Sequence, residues 1–486
     1  MTVPTITDTL PSDVRAALAS DLLRGDLHDA LVTPDHPEYD QLRAVWNGMI
    51  ERRPASIARP RTAREVASVV RAARTVGLPI AVRGGGHNVA GLATDDDALV
   101  IDLRAIRDVA IDTFERVARV GGGARWADVD AATARFGLVT PGGAVSDTGV
   151  AGLTLSGGLG WARRRLGLAC DQLVGAELVL ADGSVLEVDD ERHPDLMWAL
   201  RGGGGNVGIV TRFDFRLYAM RHTVDVAFAF YPLASAERVV DALVALEPTL
   251  PPGVAPLLVF GRSTAAGPLP AAFAGTGYLA VAAVDTDEDA AAGATAIAAL
   301  RRLDAPNTTL LADLSTRMPY AEAQAMLDAD YPAGGRYYWS SASLARFDAA
   351  AVAAVRRCVE TMPEGHSTID VWLLGGALAA VPASATAYAQ RAVPWLLNVE
   401  ANWHHAADDE RHVAWARATV AELAPWQSGG TYLNFPGLLE GGQDQVRRAL
   451  GANLERLASI KARVDPDNVF RRNANVAPAR PPRGLR

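Results

Sequence analysis

The sequence predicts an α+β protein of two lobes, the second built on an antiparallel sheet covered by helices on one face. Three observations carry this. A chain of 486 residues, 49% hydrophobic, buries a large core and exceeds one ordinary domain. Up to about residue 218, short strands alternate with helices and glycine stands at almost every strand end. Beyond that point the glycine loops stop, and long apolar–polar alternations interleave with alanine-rich helical stretches.

The elements follow in order. Arg64 to Ala73 sets its apolar residues on one helical face, with Thr62 as the predicted N-cap and Gly77 as the stop. Leu78 to Val82 reads as a buried strand that runs into the turn Arg83-Gly84-Gly85-Gly86-His87-Asn88. Ala98 to Leu103 and Val117 to Gly121 are further strands, and Trp126 to Arg135 is a helix. In the second lobe, Val224 to Tyr231, Tyr278 to Val284, Arg336 to Ser341, Thr368 to Leu374 and Leu396 to Trp403 alternate as half-buried antiparallel strands do. Ala349 to Thr361 exemplifies the intervening helices, and the uncovered sheet face is expected to wall a pocket. The predicted boundaries are 1–218 (core 50–218) for the first domain and 219–437 for the substrate domain. A C-terminal segment, 438–486, returns to the first.

Composition excludes several chemistries. A net charge of −9 argues against a nucleic-acid binder, which carries a basic face. Lys461 is the single lysine and lies in a C-terminal helical stretch, poorly placed for a pyridoxal Schiff base. No Gly-Lys-Ser/Thr triplet exists for a P-loop. Two cysteines, Cys170 and Cys358, make neither a disulfide framework nor a zinc cluster. The N-terminus Met1-Thr-Val-Pro-Thr-Ile6 lacks a basic region followed by an apolar run, and no run of about 18 apolar residues marks a membrane span. The expectation is a soluble cytoplasmic protein.

The glycine-rich segments at 121–123, 142–143, 149–160 and 202–208 recur without a fixed period. Glycine there gives positive φ or lets a ligand approach the main chain, so their convergence suggests a large phosphate-bearing cofactor. Gly203-Gly-Gly-Asn-Val-Gly208 matches the dinucleotide fingerprint in letters only: a helix precedes it and a strand follows, the reverse of a Rossmann unit. His87 closes a glycine turn whose free N–H groups form an anion nest, and a neutral imidazole is a competent nucleophile. By local sequence alone, Cys170 and Cys358 read as small buried hydrophobes. No histidine pattern suits a metal, and Ser156 is not in a nucleophile elbow.

Together these segments resemble the vanillyl-alcohol-oxidase superfamily, closest to its berberine-bridge-enzyme-like branch. The resemblance rests on Arg83-Gly-Gly-Gly-His87-Asn-Val-Ala-Gly91, Gly149-Val-Ala-Gly-Leu-Thr-Leu-Ser-Gly-Gly-Leu-Gly160-Trp161, Gly167-Leu-Ala-Cys170-Asp171, Asp195 to Gly208, Tyr432-Leu-Asn434-Phe435 and Asp465 to Asn473. It implies a PCMH-type FAD-binding domain in the first lobe. It also implies covalent FAD, bonded through His87 to the flavin 8α carbon and through Cys170 to C6. The implied cofactor site comprises Arg83, Gly84, Gly85, Gly86, His87, Asn88, Gly91, Gly149, Val150, Gly152, Ser156, Gly157, Gly160, Trp161, Cys170, Asp171, Asn206, Gly208, Val210, Tyr432, Asn434 and Asn473.

The resemblance further implies hydride transfer from a small organic substrate (an alcohol, sugar, amine or natural-product scaffold) to flavin N5. A modest side chain at Val150 implies dioxygen as acceptor and hydrogen peroxide as product. Phe435 stands where many members have a tyrosine base, so the proton acceptor is sought in Tyr432, preferred, or in Asp370, Tyr388 or His404. The alternative is a flavin-bearing protein that sequesters a drug or metabolite. Bleaching of the flavin by substrate separates the two.

Overall fold

The computed structural model describes residues 31–265 and 267–480; the N-terminal residues read for a leader lie outside them. The helix after Thr62 spans Ala63–Thr75, and the Thr62 hydroxyl caps it by accepting the Glu65 N–H at 3.2 Å. Its apolar face packs Val66, Val69, Val70 and Ala73 between two sheets. One sheet runs Leu31–Val32, Ser56–Ala58, Leu99–Asp102, Ile80–Arg83, with the last three strands parallel. The other is antiparallel, in the order Val109–Asp112, Val117–Gly121, Ile209–Arg216, Leu173–Val179, Val185–Val188.

The second lobe is an eight-stranded antiparallel sheet. Its central order is Thr223–Pro232, Gly277–Val284, Leu257–Arg262, Thr368–Leu373, Trp395–Trp403, Arg336–Leu344. Helices Ala236–Leu246, Ala290–Leu300, Ala349–Glu360 and Asp409–Glu422 cover one face, onto which Ile369, Val371, Leu397, Val399 and Ala401 point. Alternation turns Asp370, Trp372, Asn398 and Glu400 to the opposite face. The strands Leu257–Arg262 and Val109–Asp112 add to those read from the sequence. Leu257-Leu-Val-Phe lies mid-sheet, buried on both faces, and shows no alternation to read.

Helices Gly442–Leu450 and Leu454–Val464 pack Val446, Leu450, Leu457 and Ile460 against the first lobe. A further core joins the lobes, combining Leu159, Trp161, Leu168 and Cys170 with Val224, Leu257, Trp372 and Leu396. No described helix is long and apolar enough to cross a membrane.

Candidate active site

The glycine loops of the first lobe face the free side of the large sheet across one cavity. Gly84, Gly85, Gly86, His87 and Asn88 line it after the strand Ile80–Arg83. Gly149, Gly152 and Ser156 join from the second loop, and Gly208 and Val210 from the third. Asn434 and Asn473 complete it from the C-terminal segments. The sheet contributes Trp339, Asp370, Trp372 and Glu400.

The loops require glycine for two reasons. A Cβ on Gly85 would lie 2.5 Å from the Gly149 Cα and N, so the backbones touch directly. At Gly152 a Cβ would meet nothing within 4 Å and would project into the cavity. The backbone N–H groups of Gly85, Gly86, His87 and Asn88 find no acceptor among the described residues, which makes the turn an anion nest.

His87 is half-buried, and its Nε2 is shielded and has no partner among the described residues. Burial pushes its basicity down to about 3, so the ring is neutral and its lone pair available. Trp46 holds it by stacking, with ring centroids 4.0 Å apart and planes 17° from parallel. Tyr337 stacks on Trp46 in turn at 3.8 Å. Asn47 anchors this segment by donating to the Val89 and Tyr337 carbonyls at 2.7 and 2.8 Å. An unpartnered imidazole, a row of free N–H groups and bare backbone fit a flavin nucleotide. Trp46 escaped sequence reading because it lies outside every glycine motif.

Several expected site residues stand behind the wall instead of on it. The Arg83 guanidinium donates to the carbonyls of Leu42 and Arg43. Gly91 turns against Ile50, and Gly160 against the Gly142 carbonyl. Val150 is fully buried beneath its loop, and Trp161 packs toward Trp372. Asn206 bonds the carbonyls of Gly203 and Ala474, and Asp171 pairs with Arg391.

Cys170 is fully buried in the core that joins the lobes, and its N–H donates to the Gly157 carbonyl at 2.9 Å. Burial pushes its thiol well up, with Asp171 adding to the effect, which disfavours the thiolate. His87 lines the cavity, and Cys170 packs against the neighbouring 156–160 loop, in one core with Leu159 and Phe435 of the cavity wall.

Tyr432 and Tyr388 also lie off the wall. The Tyr432 oxygen accepts the N–H groups of Gly158 (2.9 Å) and Leu159 (3.1 Å) and the Asn434 amide (2.9 Å). Burial pushes its pKa up to about 12 while these three donors act in the opposite direction, and together they tie the ring to the 158–159 loop. Tyr388 packs its ring against Gly157 and under Arg391. Burial raises it further still.

Asp370 does reach the cavity. It is buried, and its Oδ1 has no partner among the described residues. Burial pushes its carboxyl well up, and Glu400 reinforces this. Glu400, on the neighbouring strand, lies opposite Thr368, two residues from Asp370. It accepts from the Tyr331 hydroxyl at 2.7 Å and the Asn398 amide at 2.6 Å, and burial raises it to about 7. Two facing acids that resist ionising together form a proton-accepting pair. Asn398, Glu400 and Asn402 on one face of an apolar strand were the signal for Glu400.

Comparison with known proteins agrees with this geometry. Residues 54–189 match the family described as FAD binding domain, and 431–477 match berberine and berberine like. (R)-6-hydroxynicotine oxidase of Paenarthrobacter nicotinovorans is 42% identical over 190 residues, 39% of this chain and 42% of that one, so less than half of that relative's length is matched. FAD-linked oxidoreductase aurO of Gibberella zeae is 29% identical over 91% of this chain and 84% of its own. The structure of 6-hydroxy-D-nicotine oxidase from Arthrobacter nicotinovorans superposes with a TM-score of 0.82 at 28% identity, covering 92% of this chain and 98% of that one. Glucooligosaccharide oxidase of Acremonium strictum shares the fold, with a TM-score of 0.83 at 23% identity over 97% of this chain and all of its own.

Proposed function

The chain belongs to the berberine-bridge-enzyme-like FAD-linked oxidoreductases, and on that premise we propose that it is an oxidase of a small organic substrate. FAD bound in this cavity would supply the two-electron acceptor for a substrate hydride, with dioxygen as its reoxidant and hydrogen peroxide as the product. The chain's own residues do the rest. His87 holds the cofactor covalently at the flavin 8α carbon, and Cys170, packed behind the 156–160 loop, supplies the second bond at C6. The loops at 84–88, 149–156 and 204–210 and the segment 470–474 cradle the nucleotide.

The Asp370–Glu400 pair takes the proton that the substrate releases, with Asp370 Oδ1 as the free atom. Phe435 offers no proton acceptor and closes the wall instead. We take 1–218 with 438–486 as the cofactor domain and 219–437 as the substrate domain. The observation that carries the reading is the pairing, in one cavity, of an unpartnered neutral imidazole with an unpartnered buried carboxyl.

The test is acid-denatured protein after flavin-sufficient expression. Wild type and Cys170→Ala should both keep yellow colour in the pellet, whereas the double variant His87→Ala with Cys170→Ala should release its flavin to the supernatant. Anaerobic exposure to a panel of amines, alcohols and sugars should bleach the visible absorption, with air restoring it and peroxide appearing. Colourless wild-type protein, or flavin that no substrate bleaches, overturns the proposal.

A further inference from the structure

His87 needs a second group to aim it. The lone pair of an imidazole nitrogen lies in the ring plane, and the torsion that sets this plane is soft in histidine. Among the described residues the ring nitrogen Nε2 has no hydrogen-bond partner to hold it. Trp46 fixes the plane instead, stacked on the imidazole with centroids 4.0 Å apart and planes 17° from parallel. Tyr337 continues the stack on Trp46 at 3.8 Å and 11°. Each such pair contributes about 0.5–1.5 kcal/mol beyond the area it buries, enough to favour one ring orientation.

The segment that carries Trp46 is bonded to both lobes. The Trp46 N–H donates to the Gly86 carbonyl at 3.1 Å, one residue before His87, and its carbonyl accepts the Gly334 N–H at 2.8 Å. The indole N–H donates to the Tyr331 carbonyl at 3.0 Å. Asn47 is fully buried, and its amide donates to the carbonyls of Val89 and Tyr337 while its oxygen accepts the Tyr337 N–H at 3.1 Å. Gly48 donates to the Gly335 carbonyl at 2.7 Å, and a Cβ there would lie 2.3 Å from the Gly334 oxygen. Residues 46–48 are thus a clasp. One side grips the turn that presents His87, and the other grips the loop 331–335 and the strand Arg336–Leu344 of the second lobe.

Resting on the covalent reading of His87, we propose that Trp46 is the positioning residue for flavin attachment, and that docking of the second lobe through Tyr337 completes the holder. Attachment joins an imidazole nitrogen to the flavin 8α carbon. That carbon gives up one proton and the imidazole another. The electron pair of the broken C–H bond moves into the isoalloxazine and on to dioxygen, which takes up both protons as hydrogen peroxide. Trp46 exchanges no bond in this step. It presents the lone pair along the line of attack, where an error of about 1 Å costs on the order of a hundred-fold in rate. An undocked second lobe leaves the indole without Tyr337 and the clasp without its outer grip, so the cofactor is locked in only once the substrate domain is in place.

Attachment kinetics decide this. Full-length Cys170→Ala protein, in which His87 is the sole link, is expressed under riboflavin starvation, given FAD and sampled into acid. Trp46→Leu in that background should lower the limiting rate at saturating FAD by at least about ten-fold, with the half-saturating FAD concentration moving less than about three-fold. Trp46→Phe keeps a ring face and should restore most of the rate. Peroxide should appear in equal amount with acid-stable flavin. Tyr337→Leu should slow attachment, and Tyr337→Phe should not. A Trp46→Leu protein as fast as its parent, or a Trp46→Phe protein as slow as Trp46→Leu, overturns the proposal. If Trp46→Leu binds no FAD, Tyr337→Leu against Tyr337→Phe decides, and equal rates overturn it. A parent that never forms acid-stable flavin sinks the covalent reading of His87 and this proposal with it, whereas fast variants of a fast parent sink the positioning role alone.

Discussion

Glu400 makes the stability of this protein depend on pH in an unusual direction. Most carboxyls in folded proteins are held below their ordinary range, and folding then weakens as acid protonates them. Here burial raises Glu400 from 4.5 to about 7, so the folded state keeps a proton that the unfolded chain releases. Stability contributed by that proton is full below 4.5 and is lost as pH rises through about 7. Asp370 is shifted in the same direction. Glu400→Gln is neutral at every pH and retains the size of the side chain. It should therefore raise the thermal midpoint at pH 8 by a few degrees, on the order of 1–3 kcal/mol, and change it little at pH 5. A variant destabilised equally at both pH values would remove the burial cost from the explanation. Asp370 was legible in the sequence as a lone acid on an apolar strand. Glu400 was not, because alternation gives the face of a residue but not which strand lies beside it. The same limit explains Tyr432: its motif placed it near the flavin loops and beside Asn434, while the two main-chain donors to its oxygen, Gly158 and Leu159, lie more than 270 residues away.

Among the elements, the C-terminal helix Leu454–Val464 braces the cofactor cradle from behind. Its Lys461 is fully buried, and the ammonium donates to the Phe470 carbonyl at 2.7 Å and to the side-chain oxygens of Asn475 (3.2 Å) and Asn206 (3.4 Å). Asp465 stands 3.5 Å away. These bonds tie the 470–476 segment to the loop at 203–208, and both segments line the cavity. Lys461→Met keeps the aliphatic stem and removes the charge, leaving Asp465 buried with only the Val469 and Phe470 N–H groups as donors. The expected loss is about 3–5 kcal/mol. Hydrogen exchange should localise it to 470–476, and in a His87→Ala, Cys170→Ala background the non-covalent flavin should dissociate more readily. Unchanged exchange across that segment would argue that the lysine is a passive core residue. The helix itself was readable from its periodicity; the role of its lysine was not, since all three acceptors belong to other elements. Trp395–Trp403, buried along its whole length, was readable because Asn398, Glu400 and Asn402 alternate with apolar residues, whereas Leu257–Arg262 was missed because Leu257-Leu-Val-Phe is apolar throughout.

Across the whole molecule, one fully buried arginine ties the first lobe to the second. Arg163 donates to the Leu373 carbonyl at 2.8 Å, to the Ala255 carbonyl at 3.1 Å and to that of Pro256, and also to Gly160 within its own lobe at 3.1 Å. Its guanidinium lies 4.9 Å from the ring centre of Trp372, which walls the active cavity. Among the described residues every hydrogen-bond partner is a carbonyl and no carboxylate pairs with the charge, so the cation depends on those bonds to stay buried. The surrounding core is shared between the lobes, and unfolding of one exposes apolar surface on the other. Unfolding of the His87→Ala, Cys170→Ala double variant in urea should therefore give coincident transitions by far-ultraviolet dichroism and by flavin release. Arg163→Met removes the guanidinium from the Leu373, Ala255 and Pro256 carbonyls, of which Pro256 keeps the Leu373 N–H at 3.2 Å, which should cost about 3–5 kcal/mol and draw the two transitions apart, with flavin lost first. Coincident transitions in the variant, at a midpoint within about 0.5 kcal/mol of the parent, would show that apolar packing alone joins the lobes and that the arginine only fills space between them.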